Sequence, residues 1–141
     1  MKQIITEQFI EASPEKVWNI LTDTAAYPKW NPFIVRMEGE IKPNAVLINT
    51  MMNGEKSMTF KPTIIAYEKG VYFEWLGKMP LGMFNGRHFF RLSPLQGGTL
   101  LSHGEYFSGW LHRLILGKIG EQTRQNFIAM NHALQQRAEK A

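Results

Sequence analysis

The stretch WLHRLILGKIGEQTRQNFIAMNHALQQRA, residues 110–138, decides how this chain folds. It contains no proline, and its two glycines, Gly117 and Gly120, lie in its first half. Its apolar side chains recur at spacings typical of one helix face, at Leu111, Leu114, Ile115, Ile119, Phe127, Met130 and Leu134. The pattern predicts one amphipathic helix that reaches roughly 40 Å at about 1.5 Å per residue. An apolar stripe of this length needs an equally long surface to cover it.

The sequence before this helix is rich in predicted strands, which supply such a surface. Alternation and turn signals predict strands at 2–11, 34–39, 45–52, 57–67, 70–77, 86–93 and 99–108. Asn53-Gly54 and Gly97-Gly98 are hairpin signals. A curved sheet that closes on one long helix leaves an interior, and we expect the functional site there.

Two short helical segments are predicted between the first and second strands. Ser13 is suited to the N-cap and Pro14 to the first helical position of a helix that runs to about Leu21. A second short turn follows and ends at Tyr27-Pro28. The predicted order is therefore one strand, a pair of short helices, six more strands and the long helix.

Composition limits the classes of protein to which the chain can belong. With 141 residues, 44% hydrophobic and 20% charged, it is expected to form one globular domain, residues 1–141. It has no cysteine, which excludes disulfides and thiol nucleophiles and fits a cytoplasmic protein. Glu7 and Glu11 interrupt the apolar stretch that a signal peptide would need. The net charge is +4, but the lysines and arginines are scattered, so no nucleic-acid partner is expected.

Strand alternation indicates which side chains face the interior. Arg87, Arg91 and Glu74 should point to water, which turns their strand neighbours inward. The residues predicted to face inward are Val71, Phe73, Trp75, His88, Phe90 and Leu92, with Met58 and Phe60 from the strand at 57–67. The strand at 99–108 allows two choices. We favour Leu101, His103, Glu105 and Phe107 over Leu100, Ser102, Gly104 and Tyr106, because Phe107 directly precedes the turn into the helix.

On this choice, His88, His103 and Glu105 converge on an otherwise apolar lining. A buried carboxylate is unfavourable unless it is paired or neutralised. Glu105 could be satisfied by a histidine or by Arg124 in a purely structural role. The same groups could instead orient the polar end of an apolar ligand, or exchange a proton with a substrate. The sequence leaves these three alternatives open.

Several short segments, spread over nearly the whole chain, resemble one known superfamily. They are ASPEKVW at 12–18, LTD at 21–23, YPKWNPF at 27–33, GT at 98–99, EYFSG at 105–109 and FxxMNxxL at 127–134. Together they resemble the START-like polyketide cyclase/dehydrase (SRPBCC) superfamily. The resemblance implies an α+β helix-grip fold, in which a seven-stranded antiparallel sheet curves around a long C-terminal helix over a deep cavity. It implies less about chemistry, because the members include lipid carriers, hormone receptors and aromatic cyclases.

The resemblance and the alternation together give a set of candidate ligand-binding residues. They are Trp30, Phe33, Met58, Phe60, Phe73, Trp75, Phe84, His88, Phe90, His103, Glu105, Phe107, Trp110, Leu114, Phe127 and Met130. The segment 76–84 is apolar and glycine-rich, and it either gates the cavity or packs into the core. Met51, Met52, Met58, Met79 and Met83 would suit an adaptable lining.

The leading hypothesis is a protein that binds a small hydrophobic molecule such as a lipid, an isoprenoid or an aromatic polyketide. One alternative is a cyclase- or dehydratase-like enzyme that uses His88, His103 or Glu105 for proton transfer. Another is an interaction or stress-response regulator. No cofactor is expected, and no metal site, because the histidines lack metal-binding spacing. Membrane contact near Arg113 and Lys118 is a less favoured alternative, and both a monomer and a homodimer fit the sequence.

Overall fold

The computed structural model describes residues 2–140, and it has the predicted α+β architecture. The helices are α1 (Pro14–Thr22), α2 (Tyr27–Trp30) and α3 (His112–Glu139), with 3₁₀ turns at Thr24–Ala26 and Pro80–Gly82. The strands are β1 (Lys2–Ile10), β2 (Ile34–Glu38), β3 (Ile48–Asn53), β4 (Lys56–Phe60), β5 (Thr63–Glu68), β6 (Tyr72–Lys78), β7 (Asn85–Leu95) and β8 (Gly98–Ser108). The helix-grip fold is confirmed.

The strands form two antiparallel sheets rather than the single seven-stranded sheet that was predicted. One sheet has five strands in the order β1-β8-β7-β6-β5, and the other has three in the order β2-β3-β4. The predicted strand at 57–67 was wrong in its continuity, since it divides into β4 and β5 at Lys61-Pro62. Pro62 lacks the N–H that a continuous ladder needs. Its carbonyl instead accepts a hydrogen bond from Leu47 N at 2.8 Å, next to an isolated bridge between Val46 and Thr63.

The short helix α1 begins as the sequence predicts. Ser13 is the N-cap, its hydroxyl accepts a hydrogen bond from Lys16 N, and Pro14 opens the first turn. The helix buries Val17, Trp18 and Leu21. Trp18 meets Phe73 edge to face at 5.7 Å, so α1 closes the end of the core that lies farther from the start of α3.

The long helix α3 is packed unevenly along its length. Its C-terminal half buries Phe127, Met130, Asn131, Leu134 and Ala138. Its N-terminal half is less covered: Ile115 and Ile119 are only half-buried, and Leu114 is 60% exposed. Because only the C-terminal half meets the core closely, space remains between the N-terminal half and the sheets.

The register of the five-stranded sheet places two rows of side chains side by side on its inner face. One row runs across the strands as Phe73, Phe90, His103 and Thr6. The adjacent row runs as Trp75, His88, Glu105 and Ile4. The predicted inward face of β8 is therefore confirmed. The rows bring the polar groups of three neighbouring strands within reach of one another.

Glu74 lies on the outer face of the sheet, as predicted, but it is buried rather than directed into water. The hydroxyl of Tyr72 donates to its carboxylate, and Arg87 lies 3.4 Å from the same group. These long side chains cover the carboxylate because strand neighbours two positions apart share one face. Aromatic and charged side chains therefore partly cover the outer face of the sheet.

Candidate ligand-binding site

A cavity of about 380 Å³ lies between the N-terminal half of α3, strands β3 and β4, and the inner face of β6 to β8. This volume is within the range of small-molecule binding sites, roughly 300–1,000 Å³. The cavity opens to solvent where β4, the β6–β7 connection and α3 come together. Its wall consists mainly of aromatic rings, methionines and isoleucines, so the interior is largely apolar.

The structure brings part of the predicted set of ligand-binding residues together around this cavity. The predicted residues in its wall are Phe33, Met58, Phe60, Trp75, Phe84, His88, Glu105 and Phe107. Met51, Met52 and Met79 also line it, as the methionine pattern suggested, whereas Met83 lies outside the wall. In the wall, Phe84 stacks on Phe107 with ring centroids 5.5 Å apart. Whether these residues bind a ligand stays a prediction.

Other predicted residues lie outside the cavity wall, and their placement corrects the sequence-based set. Phe73, Phe90, His103, Phe127 and Met130 are fully buried in the core beyond the closed end of the cavity. They face inward as alternation predicts, but the C-terminal half of α3 packs directly on the sheet at that depth. Alternation identifies a face of the sheet and cannot show how far along it the helix stands away.

Three further aromatic or aliphatic residues also lie outside the wall. Trp30 is half-buried and packs edge to face on Tyr27 at 5.2 Å. Trp110 is 69% exposed and donates its ring N–H to Leu81 O, while Leu114 is 60% exposed on the first turns of α3. The helix begins two residues later than predicted, so Trp110 precedes it. Leu114 lies on the solvent-facing side of the helix, which explains why it does not reach the cavity.

Some wall residues lie outside the predicted set of ligand-binding residues. They are Asn53, Pro62, Gly77, Lys78, Gly86, Ile115, Ile119, Thr123 and Asn126. For Thr123 and Asn126 a signal was available, because they continue the helical face of Ile115 and Ile119 at spacings of three and four. The glycines gave no such signal, since they contribute to the cavity by lacking a side chain.

Gly77 and Gly86 form a cross-strand pair on the inner face of β6 and β7. A Cβ atom at Gly77 would meet no other atom within 4 Å, so the space above this residue is open. A Cβ atom at Gly86 would instead overlap the carboxyl group of Glu105. The pair therefore makes a floor without side chains, and the Glu105 carboxyl lies directly on part of it.

A chain of polar contacts leads from Glu105 into the core. Glu105 Oε1 lies 3.3 Å from His88 Nδ1, and the Glu105 side chain is 18% exposed in the cavity wall. His88 Nε2 lies 2.7 Å from His103 Nε2, and His103 Nδ1 lies 2.8 Å from Asn131 Oδ1. Asn131 Nδ2 donates to Thr6 Oγ1 at 2.8 Å, and Thr6 donates to the carbonyl of His103 at 2.8 Å. We call these five side chains the polar chain.

The direction of the hydrogen bonds in the polar chain is fixed from its inner end. The backbone carbonyl of His103 can only accept a hydrogen bond, so the Thr6 hydroxyl donates its proton to it. The Thr6 oxygen must then accept a hydrogen bond from the Asn131 amide. Asn131 Oδ1 then accepts from His103 Nδ1. A neutral His103 therefore offers a bare Nε2 to His88, and a neutral His88 offers a bare Nδ1 to Glu105. Only a protonated Glu105 carboxyl complements that lone pair.

Burial favours the same neutral state. Desolvation lowers the pKa of His88 to about 3, and desolvation together with the neighbouring His88 holds the pKa of His103 well below its usual value. Desolvation also raises the pKa of Glu105 to about 8. Near neutral pH, both imidazoles and the carboxyl are therefore uncharged. The His88–Glu105 contact is then one between two neutral groups and not a salt bridge.

The neutral carboxyl of Glu105 predicts that a Glu105→Gln variant becomes more stable relative to the native protein as pH rises. Between about pH 4.5 and about pH 8, folded Glu105 keeps a proton that the unfolded chain loses, so the native protein loses stability as pH rises. Glutamine removes this loss. The free energy of unfolding of Glu105→Gln, minus that of the native protein, should grow across this interval by on the order of a few kcal/mol.

Urea unfolding across the pH range measures this difference. Acid destabilisation that arises from His88 is common to both proteins and cancels in it. Glu55→Gln, which changes an exposed glutamate in the β3–β4 turn, is the matched control and should give a flat difference. A flat difference for Glu105→Gln as well would contradict a neutral carboxyl in the folded protein.

Solved structures share this fold at low sequence identity. A START superfamily protein from Mycobacterium smegmatis is 19% identical, with a TM-score of 0.74 over 97% of each chain. The Zhui aromatase/cyclase from Streptomyces sp. R1128 is 14% identical, with a TM-score of 0.76 over 98% of this chain and 93% of that one. A hypothetical protein from Helicobacter pylori, jhp0584, is 12% identical, with a TM-score of 0.80 over 98% and 88%.

These identities establish the shared fold alone. No curated protein sequence matches this chain at a significant level. Within residues 2–140, no helix is both long and apolar enough to cross a lipid bilayer. The sequence model described as polyketide cyclase / dehydrase and lipid transport matches residues 1–139, nearly the full length. The chain with this helix-grip fold and this cavity therefore belongs to the polyketide cyclase / dehydrase and lipid transport family.

Proposed function

We propose that this protein binds a small hydrophobic molecule of the lipid, isoprenoid or aromatic polyketide type in the cavity beneath α3. The observation that carries the proposal is the cavity itself, about 380 Å³ in volume and open to solvent at one end. Its wall offers aromatic rings such as Trp75 and Phe107, and flexible thioethers such as Met51 and Met58. Rigid rings and adaptable methionines together suit an apolar guest of irregular shape.

The cavity mouth supports the same proposal. Met58, Met79 and Leu81 are exposed around it, and Leu81 is 87% exposed. Exposed apolar side chains at the rim of an apolar cavity provide a continuous surface for a hydrophobic molecule that enters from outside. Lys78 is also exposed in this wall. It leaves the mouth partly polar and therefore wetted.

The proposal is tested with a neutral fluorescent probe, N-phenyl-1-naphthylamine. We expect saturable binding at micromolar concentration, with a rise in fluorescence, and displacement of the probe by apolar competitors. Native mass spectrometry of gently purified protein is expected to show an added mass that is lost on denaturation. Absence of saturable binding by the probe and by a panel of fatty alcohols and aromatic polyketides would rule the proposal out.

A second candidate function is supported by the polar chain. A protonated carboxyl in an apolar cavity, connected through two imidazoles, is suited to general acid–base chemistry. The Zhui aromatase/cyclase shares the fold, which makes cyclisation of a polyketide-type substrate the reaction to test first. Turnover that Glu105→Gln abolishes, without loss of substrate binding, would favour this enzyme over a carrier.

A further inference from the structure

We propose that the closed end of the cavity accepts a hydrogen bond from an uncharged hydroxyl group, so that the guest is a hydroxylated apolar molecule. The acceptor is Glu105 Oε2. This inference rests on the proposed function, and it narrows the ligand class by the chemistry of the polar end rather than by the shape of the apolar part.

The first step concerns the proton on Glu105. His88 presents a bare Nδ1 to Glu105 Oε1, because the bond direction is fixed from the backbone carbonyl of His103 outward. The carboxyl proton therefore lies on the Oε1 side and is directed to His88. Burial raises the pKa of Glu105 to about 8, which is consistent with a carboxyl that keeps this proton at neutral pH.

The second step concerns the other oxygen. Glu105 Oε2 lies over Gly86, where the chain has no side chain to cover it, and Glu105 forms part of the cavity wall. With the proton committed to His88, Oε2 is a carbonyl-type oxygen and can only accept. A guest that donates a hydrogen bond here satisfies it. A ketone or ether guest has no proton to donate, so its oxygen and Glu105 Oε2 cannot form a hydrogen bond with each other.

A third observation concerns other polar atoms of the wall. Asn53 Oδ1 is buried and has no hydrogen-bond partner within residues 2–140. The Thr123 hydroxyl donates to Ile119 O, and one N–H of Asn126 Nδ2 donates to Met52 O. The wall thus holds a second buried acceptor. A molecule with more than one hydroxyl would find a partner at each.

An anionic guest fits the closed end poorly. Within the described wall, the ionisable residues are Lys78, His88 and Glu105. His88 is buried and neutral, and Glu105 offers an oxygen lone pair, so neither stabilises a carboxylate. Lys78 is exposed at the mouth, where an ion pair contributes little. A fatty acid whose carboxylate binds Lys78 at the mouth has only its apolar end near Glu105, and this end cannot donate a hydrogen bond to Oε2.

The test compares guests that share one ring frame. Isothermal titration at about pH 6.5 measures 2-naphthol, its methyl ether and ionised 2-naphthoate, with 2-decalol and its methyl ether as the aliphatic pair. We expect the hydroxyl form to bind about tenfold more tightly than its own ether in at least one pair, and naphthoate to bind most weakly. Comparing the two pairs distinguishes a phenolic guest from an aliphatic alcohol.

Two variants assign the effect to Glu105. Glu105→Gln keeps a donor to His88, through its amide N–H, and an acceptor toward the cavity, through its carbonyl oxygen. The preference for the hydroxyl form over the ether should therefore persist in this variant. Glu105→Leu removes the acceptor and should reduce the preference to less than about threefold while the ethers still bind. Circular dichroism checks that both variants are folded.

The outcomes separate this inference from the function on which it rests. Equal binding of hydroxyl and ether forms by the native protein, tightest binding of naphthoate, or an unchanged preference in Glu105→Leu would overturn the hydroxyl assignment while the carrier function stands. Failure of every guest to bind the native protein would overturn both.

Discussion

Gly77→Leu is expected to weaken binding of the neutral apolar probe by on the order of 100-fold and to leave the protein folded. Gly77 lies on the cavity-facing side of β6, opposite Gly86, and a Cβ atom there meets nothing within 4 Å. Its backbone has no positive φ, so leucine introduces no conformational strain. The leucine side chain occupies the space that a ring would fill, and the guest loses that volume.

The matched control is Gly117→Leu. Gly117 lies on α3 beside a separate surface groove, and a Cβ atom there also meets nothing within 4 Å. Fluorescence titration of both variants, with urea unfolding to verify their stability, should show native affinity for Gly117→Leu alone. Native affinity in Gly77→Leu, with its stability unchanged, would place the probe somewhere other than this cavity.

Phe127→Ala is expected to lower the free energy of unfolding by about 3–5 kcal/mol. Phe127 is fully buried and stacks on His103 with ring centroids 4.3 Å apart, and it also contacts His88 and Phe33. Its removal leaves an enclosed hole and withdraws apolar cover from both imidazoles. Urea unfolding monitored by tryptophan fluorescence measures the change.

Phe84→Ala is the control for this prediction. Phe84 is half-buried and already borders the cavity, so its truncation enlarges an existing space and should lower the free energy of unfolding by only about 1 kcal/mol. Equal effects of the two truncations would mean that Phe127 does not lie in the closely packed core beyond the cavity. They would also remove the distinction between wall and core that underlies the site.

The architecture was accessible from the sequence because periodicity records which face of an element is buried. The spacing of Phe127, Met130 and Leu134 predicts the packed half of α3, and alternation places His88 and Glu105 on the inner face. Periodicity is a local property, however. The division of one predicted strand at Pro62 and the pairing of β strands into two sheets depend on contacts between distant segments.

The depth of the cavity was less accessible, for a related reason. Phe90 and Trp75 have the same inward direction, yet only Trp75 borders the cavity, because the separation of α3 from the sheet changes along its length. Leu114 fits the apolar stripe, yet it is exposed because it lies on the same solvent-facing side of the helix as Lys118. Gly77 shapes the floor through a missing side chain, which no hydrophobic pattern can record.

The sequence also did not identify the residue that hydrogen-bonds to His103 in the core. The sequence suggested that Glu105 could be satisfied by Arg124, but Arg124 borders a separate groove on the other side of α3. Asn131 contacts His103 instead, and Thr6 from the first strand forms the inner end of the polar chain. These residues are separated by 125 positions in sequence, so their contact follows from the completed fold and from no local motif.

The central claim is that an apolar guest occupies the space between the N-terminal half of α3 and the sheet. The most direct measurement is the anomalous diffraction of a crystal of this protein grown with a brominated 2-naphthol. The account predicts a bromine peak inside the cavity, among Trp75, Phe107 and Ile119, with the hydroxyl directed to Glu105. A bromine found only on the outer surface, with side chains filling the cavity, would contradict it.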